Sequence, residues 1–256
     1  MTEQQKIWRQ PADRMRLEKG AVHVWRCQLN QTGATVQQMF EDLSPEEKQK
    51  SDKFRFDTDR HKFIAARSIL RKILGAYFGI RPSQVSFSYN DFGKPALALA
   101  TKHDYRFSVS HSGAILLIAV TRGREVGIDV ELISVQNAFM EIARKVFSRR
   151  EIAILETMPS GLQTDAFFTI WTRKEAYLKA LGKGFSDTSK YFTVSLFPDV
   201  SEVLSVADEC RKNRRWTVMT LPLSSEYKAA AAVEGTVGKL FFWQMSEHGN
   251  AETRKN

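Results

Sequence analysis

Apolar residues recur every three to four positions from Thr58 to Phe78, with Phe63, Ile64, Ile69, Leu70, Ile73, Leu74 and Tyr77 on one side. This spacing predicts the longest helix of the first half. A second long helix is predicted over Thr164–Leu181, anchored by Phe167, Phe168, Trp171, Tyr177 and Leu178 and ended by Gly182, a helix C-cap residue. Shorter helical patterns cover Leu43–Phe56, opened by Ser-Pro-Glu-Glu, and Asn137–Phe147. Ser148-Arg149-Arg150-Glu151 has the form of a capping box and starts another helix, which Met158–Gly161 interrupts. Strand patterns fall at Ala21–Leu29, Val85–Tyr89, Arg106–His111, Leu116–Thr121 and Val126–Glu131 in the first half. In the second they fall at Phe192–Leu196, Trp216–Leu221, Tyr227–Val233 and Leu240–Gln244. Asn90–Gly93 and Arg122–Arg124 supply turns.

Each half therefore reads as a long helix followed by strands that pair antiparallel. The expected fold is α+β, built from two similar α/β subdomains: an N-terminal one over 21–124 and a C-terminal one over 125–245, with the seam near Arg122–Val126. Residues 1–20 are polar and weakly periodic and are expected to form a flexible arm; residues 246–256 read as a disordered tail.

Composition changes this picture in one respect. The 256 residues carry a formal net charge of +9, which favours anionic partners without choosing among them. Cys27 and Cys210 are far apart and read as free packing thiols. No apolar run approaches the roughly 18 residues of a membrane span, and the first 20 residues have no apolar core of a signal peptide. A cytoplasmic protein is expected, with no membrane partner.

Four segments carry candidate chemistry. In Gly127-Ile128-Asp129-Val130-Glu131, residues two apart on a strand share a face, so Asp129 and Glu131 project together while Ile128 and Val130 enter the core. Paired carboxylates repel unless a cation sits between them, and hard oxygen ligands suit Mg²⁺ or Mn²⁺; a solvent-facing acidic edge is the alternative. On the second long helix, Glu175 and Lys179 are one turn apart and continue the stripe of Phe168 and Trp171. They mark either the margin of a cleft or a surface ion pair. Phe107-Ser108-Val109-Ser110-His111-Ser112-Gly113 places Ser110 and His111 on opposite strand faces, so they are no nucleophile–base pair. Phosphate binding beside Gly113 is one reading and a polar strand end the other. In Asn90-Asp91-Phe92-Gly93-Lys94-Pro95, Gly93 lets backbone approach a ligand and Lys94 offers a point charge.

Together these segments resemble the Sfp-type 4′-phosphopantetheinyl transferases, from Ser44 to about Gly184. The strongest motifs are Val126–Glu131 and Phe167–Lys179, followed by Gly182-Lys183-Gly184; Phe92–Pro95 and Val109–Gly113 support them. The resemblance implies a pseudo-twofold pair of subdomains with coenzyme A between them as co-substrate. It implies Asp129, Glu131 and Glu175 as ligands of Mg²⁺, with Mn²⁺ as the alternative, and Gly93, Lys94, Ser110, His111 and Lys179 at the coenzyme. Lys50 falls where the family places a cation for the 3′-phosphate, whereas Glu47 departs from members with a second lysine there; Arg60, Lys62 and Arg67 are further candidates. The implied reaction is attack of a carrier-protein serine on coenzyme A, releasing 3′,5′-ADP, with Glu175 taking the proton, Lys179 neutralising the leaving group and His111 placing a phosphate. The partner is then an acidic acyl or peptidyl carrier protein and not nucleic acid, and one chain, a monomer, suffices. Phe139, Met140 and Phe147 are candidates for carrier docking, with core packing the alternative.

Two rivals stand beside this reading. A metal-dependent nuclease would use the same carboxylates but needs a basic stripe with stacking aromatics, and Arg211–Arg215 is the only dense cluster. A binding module for an acidic protein or RNA would need neither metal nor turnover.

Overall fold

The computed structural model describes residues 7–11, 15–98, 104–134, 139–182, 187–197, 200–202, 205–206 and 215–245. Lys183, Gly184, Cys210, Arg211–Arg214 and the expected tail lie outside the described residues. The chain runs β1 (Ala21–Gln28), α1 (Gly33–Phe40), α2 (Pro45–Ser51), α3 (Asp57–Phe78), β2 (Phe87–Tyr89), β3 (Pro95–Leu97), β4 (Tyr105–Ser112), β5 (Ile115–Arg122) and β6 (Val126–Leu132). It continues through α4 (Phe139–Val146), α5 (Arg149–Thr157), α6 (Ser160–Ala180), β7 (Phe192–Thr193), β8 (Val200–Glu202), β9 (Ser205–Val206), β10 (Trp216–Thr220), β11 (Tyr227–Glu234) and β12 (Lys239–Gln244). The fold is α+β. Among the described residues no helix is long and apolar enough to cross a membrane.

Two four-stranded sheets dominate, ordered β12-β1-β5-β4 and β6-β11-β10-β8. In each, the first strand of its half pairs antiparallel with the last strand of a hairpin, β1 with β5 and β6 with β11. The long helix of each half covers one sheet face: α3 packs on one core cluster and α6 on another. A third cluster, with Val22, Val24, Leu117, Ile128, Val130 and Val233, fills the space between the two sheets. Ile128 and Val130 thus enter the core, as the alternation predicts, and Asp129 and Glu131 take the opposite face, toward α6.

The two halves repeat a device at their helix starts. Ser44 caps α2 in a capping box with Glu47, and Ser148 caps α5 in one with Glu151. Each glutamate is also buried against a cation on the following long helix. Glu47 pairs with Arg67 and with Arg71, whose Nε lies 2.6 Å away; Glu151 pairs with Lys174 at 2.8 Å, both side chains fully buried. Each cation also donates to backbone carbonyls beyond the helix, Arg71 to Val85 and Lys174 to Phe192. Burial pushes the Glu47 carboxyl up, but Arg71 and Arg67 outweigh it and hold it below the usual glutamate range. Arg67 and Glu47 are thereby committed to each other.

Three expectations change. The described part of the expected arm is packed: Trp8, Met15 and Leu17 are buried, and the Trp8 indole donates to the Pro222 carbonyl at 3.0 Å. Second, β12, grouped by sequence order with the C-terminal half, crosses back and pairs parallel with β1. Third, the pattern over Leu43–Phe56 yields only the seven-residue α2, and α1, β3, β8 and β9 were not expected. α1 is short, and its Gly33 and Thr32 read as loop residues although the Thr32 hydroxyl caps it.

Candidate active site

Gly127 sets the approach of β6 to α6. A Cβ built on it would lie 1.9 Å from the Ala176 carbonyl oxygen and 2.4 Å from the Ala180 nitrogen, so the strand touches helix backbone directly. Ala230 and Ala232 on the neighbouring strand keep that face low enough for the helix to settle. Two and four residues after Gly127, Asp129 and Glu131 therefore meet the face of α6 carrying Trp171, Glu175 and Lys179 at four-residue intervals.

Asp129 is 2 % exposed. Its Oδ1 accepts from the Lys179 ammonium at 2.6 Å and from the Ser110 hydroxyl at 2.9 Å, and Lys179 also donates to Ser110 at 2.8 Å. Glu131 accepts from the Ser112 hydroxyl at 3.0 Å and from the Trp171 side chain. Burial raises the proton affinity of all three acids, and their neighbours add to it: Asp129 acts on Glu131, and both act on Glu175. Burial first, then Asp129, pushes the Glu175 carboxyl up to about 7. Lys179 opposes the rise at each acid.

Whether these residues suit a divalent cation can be tested on Asp129. Its Oδ2 is buried and has no hydrogen-bond partner. An orphaned carboxylate oxygen beside two further acids, with one lysine to offset them, is an electron-rich site short of positive charge. The donor set is all oxygen, which matches Mg²⁺ or Mn²⁺. Among the described residues the acids do not close into a ready-made cage; Lys179 holds Asp129 instead.

His111 is exposed, on the opposite strand face from Ser110 and Ser112. Partial burial lowers its pKa first, and Lys179 and Lys62 lower it further, so the imidazole tends to the neutral form. Gly93 lies at φ 76° in the turn before β3. Asn90 organises that turn: its side-chain oxygen accepts from the Phe92 and Lys94 amides, and its amide nitrogen donates to the Gly182 carbonyl at 2.8 Å. The Lys94 ammonium reaches the Ala180 carbonyl at 3.1 Å and Glu125 at 3.5 Å, a cation at a helix C-terminus. A cavity of 270 Å³ joins Gly93, Lys94, Pro95, Glu175 and Lys179. A larger one of 630 Å³ continues past Lys94 to Tyr105 and Trp216. Lys50 is exposed on α2, its ammonium 5.5 Å from the centre of the Phe63 ring. Phe147 is core, stacked on Phe167 at 5.3 Å, and Phe139 and Met140 pack against the same cluster.

Sequence reasoning left Ser112, Asn90 and Trp171 without roles at this site. Ser112 was within reach, because Ser108, Ser110 and Ser112 alternate on one strand face. Their partners on β6 depend on tertiary placement.

Comparison with known proteins assigns the chain to a family. Residues 25–122 match "4′-phosphopantetheinyl transferase, N-terminal" and residues 125–232 match the 4′-phosphopantetheinyl transferase superfamily. The chain is similar to the 4′-phosphopantetheinyl transferase HetI of a Nostoc species, 33 % identical over 240 residues, covering 93 % of this chain and 98 % of the relative. It is also similar to the 4′-phosphopantetheinyl transferase Sfp of Bacillus subtilis, 30 % identical over 166 residues, covering 65 % of this chain and 72 % of that one. The chain belongs to the 4′-phosphopantetheinyl transferase family.

Proposed function

We propose that this enzyme moves 4′-phosphopantetheine from coenzyme A to a serine hydroxyl of an acidic acyl or peptidyl carrier protein, releasing 3′,5′-ADP. The observation that carries the reading is the meeting of Asp129, Glu131 and Glu175 with Lys179 beside the Gly93–Lys94 cavity. The two subdomains are read as pseudo-twofold partners, supported by the three-strand order common to β1-β5-β4 and β6-β11-β10 and by the paired glutamate caps. A cytoplasmic monomer is the simplest setting, with one chain supplying the whole cleft.

Asp129, Glu131 and Glu175 would hold Mg²⁺, or Mn²⁺ in its place. When bound, the cation neutralises pyrophosphate charge that otherwise repels a nucleophile. The residues do the rest. Glu175, beside Asp129 and Glu131 on the cavity wall, is placed to accept the proton leaving the carrier serine. Lys179 brings its positive charge to the departing phosphate, where charge develops. His111, held toward neutrality, donates one N–H to a phosphate oxygen, while Ser110, on the other strand face, holds Asp129 and Lys179. Gly93 and Lys94 wall the coenzyme's cavity, and Lys50 with Lys62 supplies positive charge for the 3′-phosphate.

The test is mass spectrometry of an apo-carrier incubated with the enzyme, Mg²⁺ and coenzyme A. The carrier gains about 340 Da, the phosphopantetheinyl group added to a serine. An unmodified carrier, with several acyl and peptidyl carriers tried, rejects the reading. Asp129→Ala or Glu175→Ala should abolish the gain while circular dichroism stays unchanged.

A further inference from the structure

We infer that Ser112 is a positioning residue for Glu131, an assignment that rests on the proposed cation site and adds a residue to it. β4 and β6 are edge strands of different sheets and share no backbone ladder. Three serines join them instead. Ser108 accepts from the Ile128 amide at 3.1 Å, Ser110 donates to Asp129, and Ser112 both donates to Glu131 Oε2 and accepts from the Leu132 amide at 3.0 Å.

A hydroxyl has one proton to donate. Because the Leu132 amide fixes one lone pair of Ser112, its proton is directed at Glu131. The Ser112 backbone is held in turn. Gly113 follows at φ 58°, and a Cβ there would lie 2.7 Å from the Tyr227 hydroxyl. Tyr227 sits opposite Leu132 in the β11–β6 pairing and accepts from the Ala114 amide at 3.4 Å. The turn after β4 is thus seated on the second sheet, and the seating fixes Ser112 relative to Glu131. Glu131 is less buried than Asp129 and has no lysine within hydrogen-bonding distance among the described residues. It depends on Ser112 and Trp171 for its orientation. Ser108 makes the same kind of stitch but touches no carboxylate, so it separates positioning from mere stitching.

The experiment titrates Mn²⁺ into the full chain with coenzyme A present, followed by electron paramagnetic resonance, alongside thermal melting and the KM for Mg²⁺. Ser112→Ala is expected to weaken Mn²⁺ binding by about 10–100-fold and raise the KM for Mg²⁺ more than it lowers kcat. Ser112→Thr keeps the hydroxyl and should restore affinity to within about threefold of wild type. Ser108→Ala should lower the melting temperature yet leave Mn²⁺ affinity unchanged. If Ser112→Ala fails to fold, Ser112→Cys, with only a weak donor, carries the same expectation. Wild-type Mn²⁺ affinity in a folded Ser112→Ala or Ser112→Cys overturns the positioning role alone. A wild-type chain that binds no Mn²⁺ overturns the cation site itself.

Discussion

At the scale of single residues, Glu175 has a proton affinity matched to neutral pH. Its carboxyl lies near 7 in the folded protein against 4.5 ordinarily. Between those values the folded state binds the extra proton, so its contribution to stability falls as pH rises through that window. A divalent cation should expel that proton. Mn²⁺ titrated at pH 6.5 in two buffers of different ionisation enthalpy is expected to give different heats for wild type and a smaller difference for Glu175→Gln. Equal heats for wild type would remove Glu175 from the site. His23 has the opposite sign. Burial lowers it from 6.5 to about 4, with its Nδ1 2.7 Å from the Tyr77 hydroxyl. The unfolded chain takes the proton first, so acidification from 6.5 to 4 withdraws about 3 kcal/mol of stability. His23→Asn should flatten that limb of an acid-unfolding curve; an unaltered limb would assign it to other groups.

Among the elements, the contact of β6 with α6 governs where the acids lie. Gly127→Ala must push the strand off the helix by roughly the overlap of a methyl group with backbone. About 3 kcal/mol of destabilisation is expected, read from urea unfolding, with loss of transfer activity. A variant as stable as wild type would mean that helix and strand separate freely. The buried Glu151–Lys174 pair anchors the start of α5 to the same helix. Glu151→Gln strands a buried ammonium and should cost about 3–5 kcal/mol by the same measurement, whereas Glu151→Gln at wild-type stability would make the pair dispensable. This level was the most legible in the sequence. Alternation in Val126–Glu131 placed Asp129 and Glu131 on one face, and the 3.6-residue spacing of α6 put Glu175 and Lys179 together, because both signals are local. The capping boxes were legible too, but their pairing with Arg71 and Lys174 was not: it spans 24 and 23 residues, and nothing local says which cation returns. The partners of the serine row and the β12 crossing failed to show for the same reason. A glycine–lysine turn makes the Lys94 charge legible, but not its hydrogen bond to the Ala180 carbonyl, 86 positions away.

For the whole molecule, the surplus of +9 bears on how the proposed anionic partners would arrive. Coenzyme A and acidic carriers are anionic, so kcat/KM for the carrier should drop several-fold between about 50 and 500 mM salt while kcat changes little, as screening shortens the reach of the field. A salt-independent kcat/KM would assign the charge to solubility alone. The parallel pairing of β1 with β12 has a consequence for synthesis. Arg26 and Gln244 touch across 218 positions of chain, so the strand that closes the first sheet is made long after β1. While the ribosome is still at work, β1 waits with one edge bare, and an open edge invites pairing with other nascent chains. The first half therefore keeps that edge open until β12 has emerged.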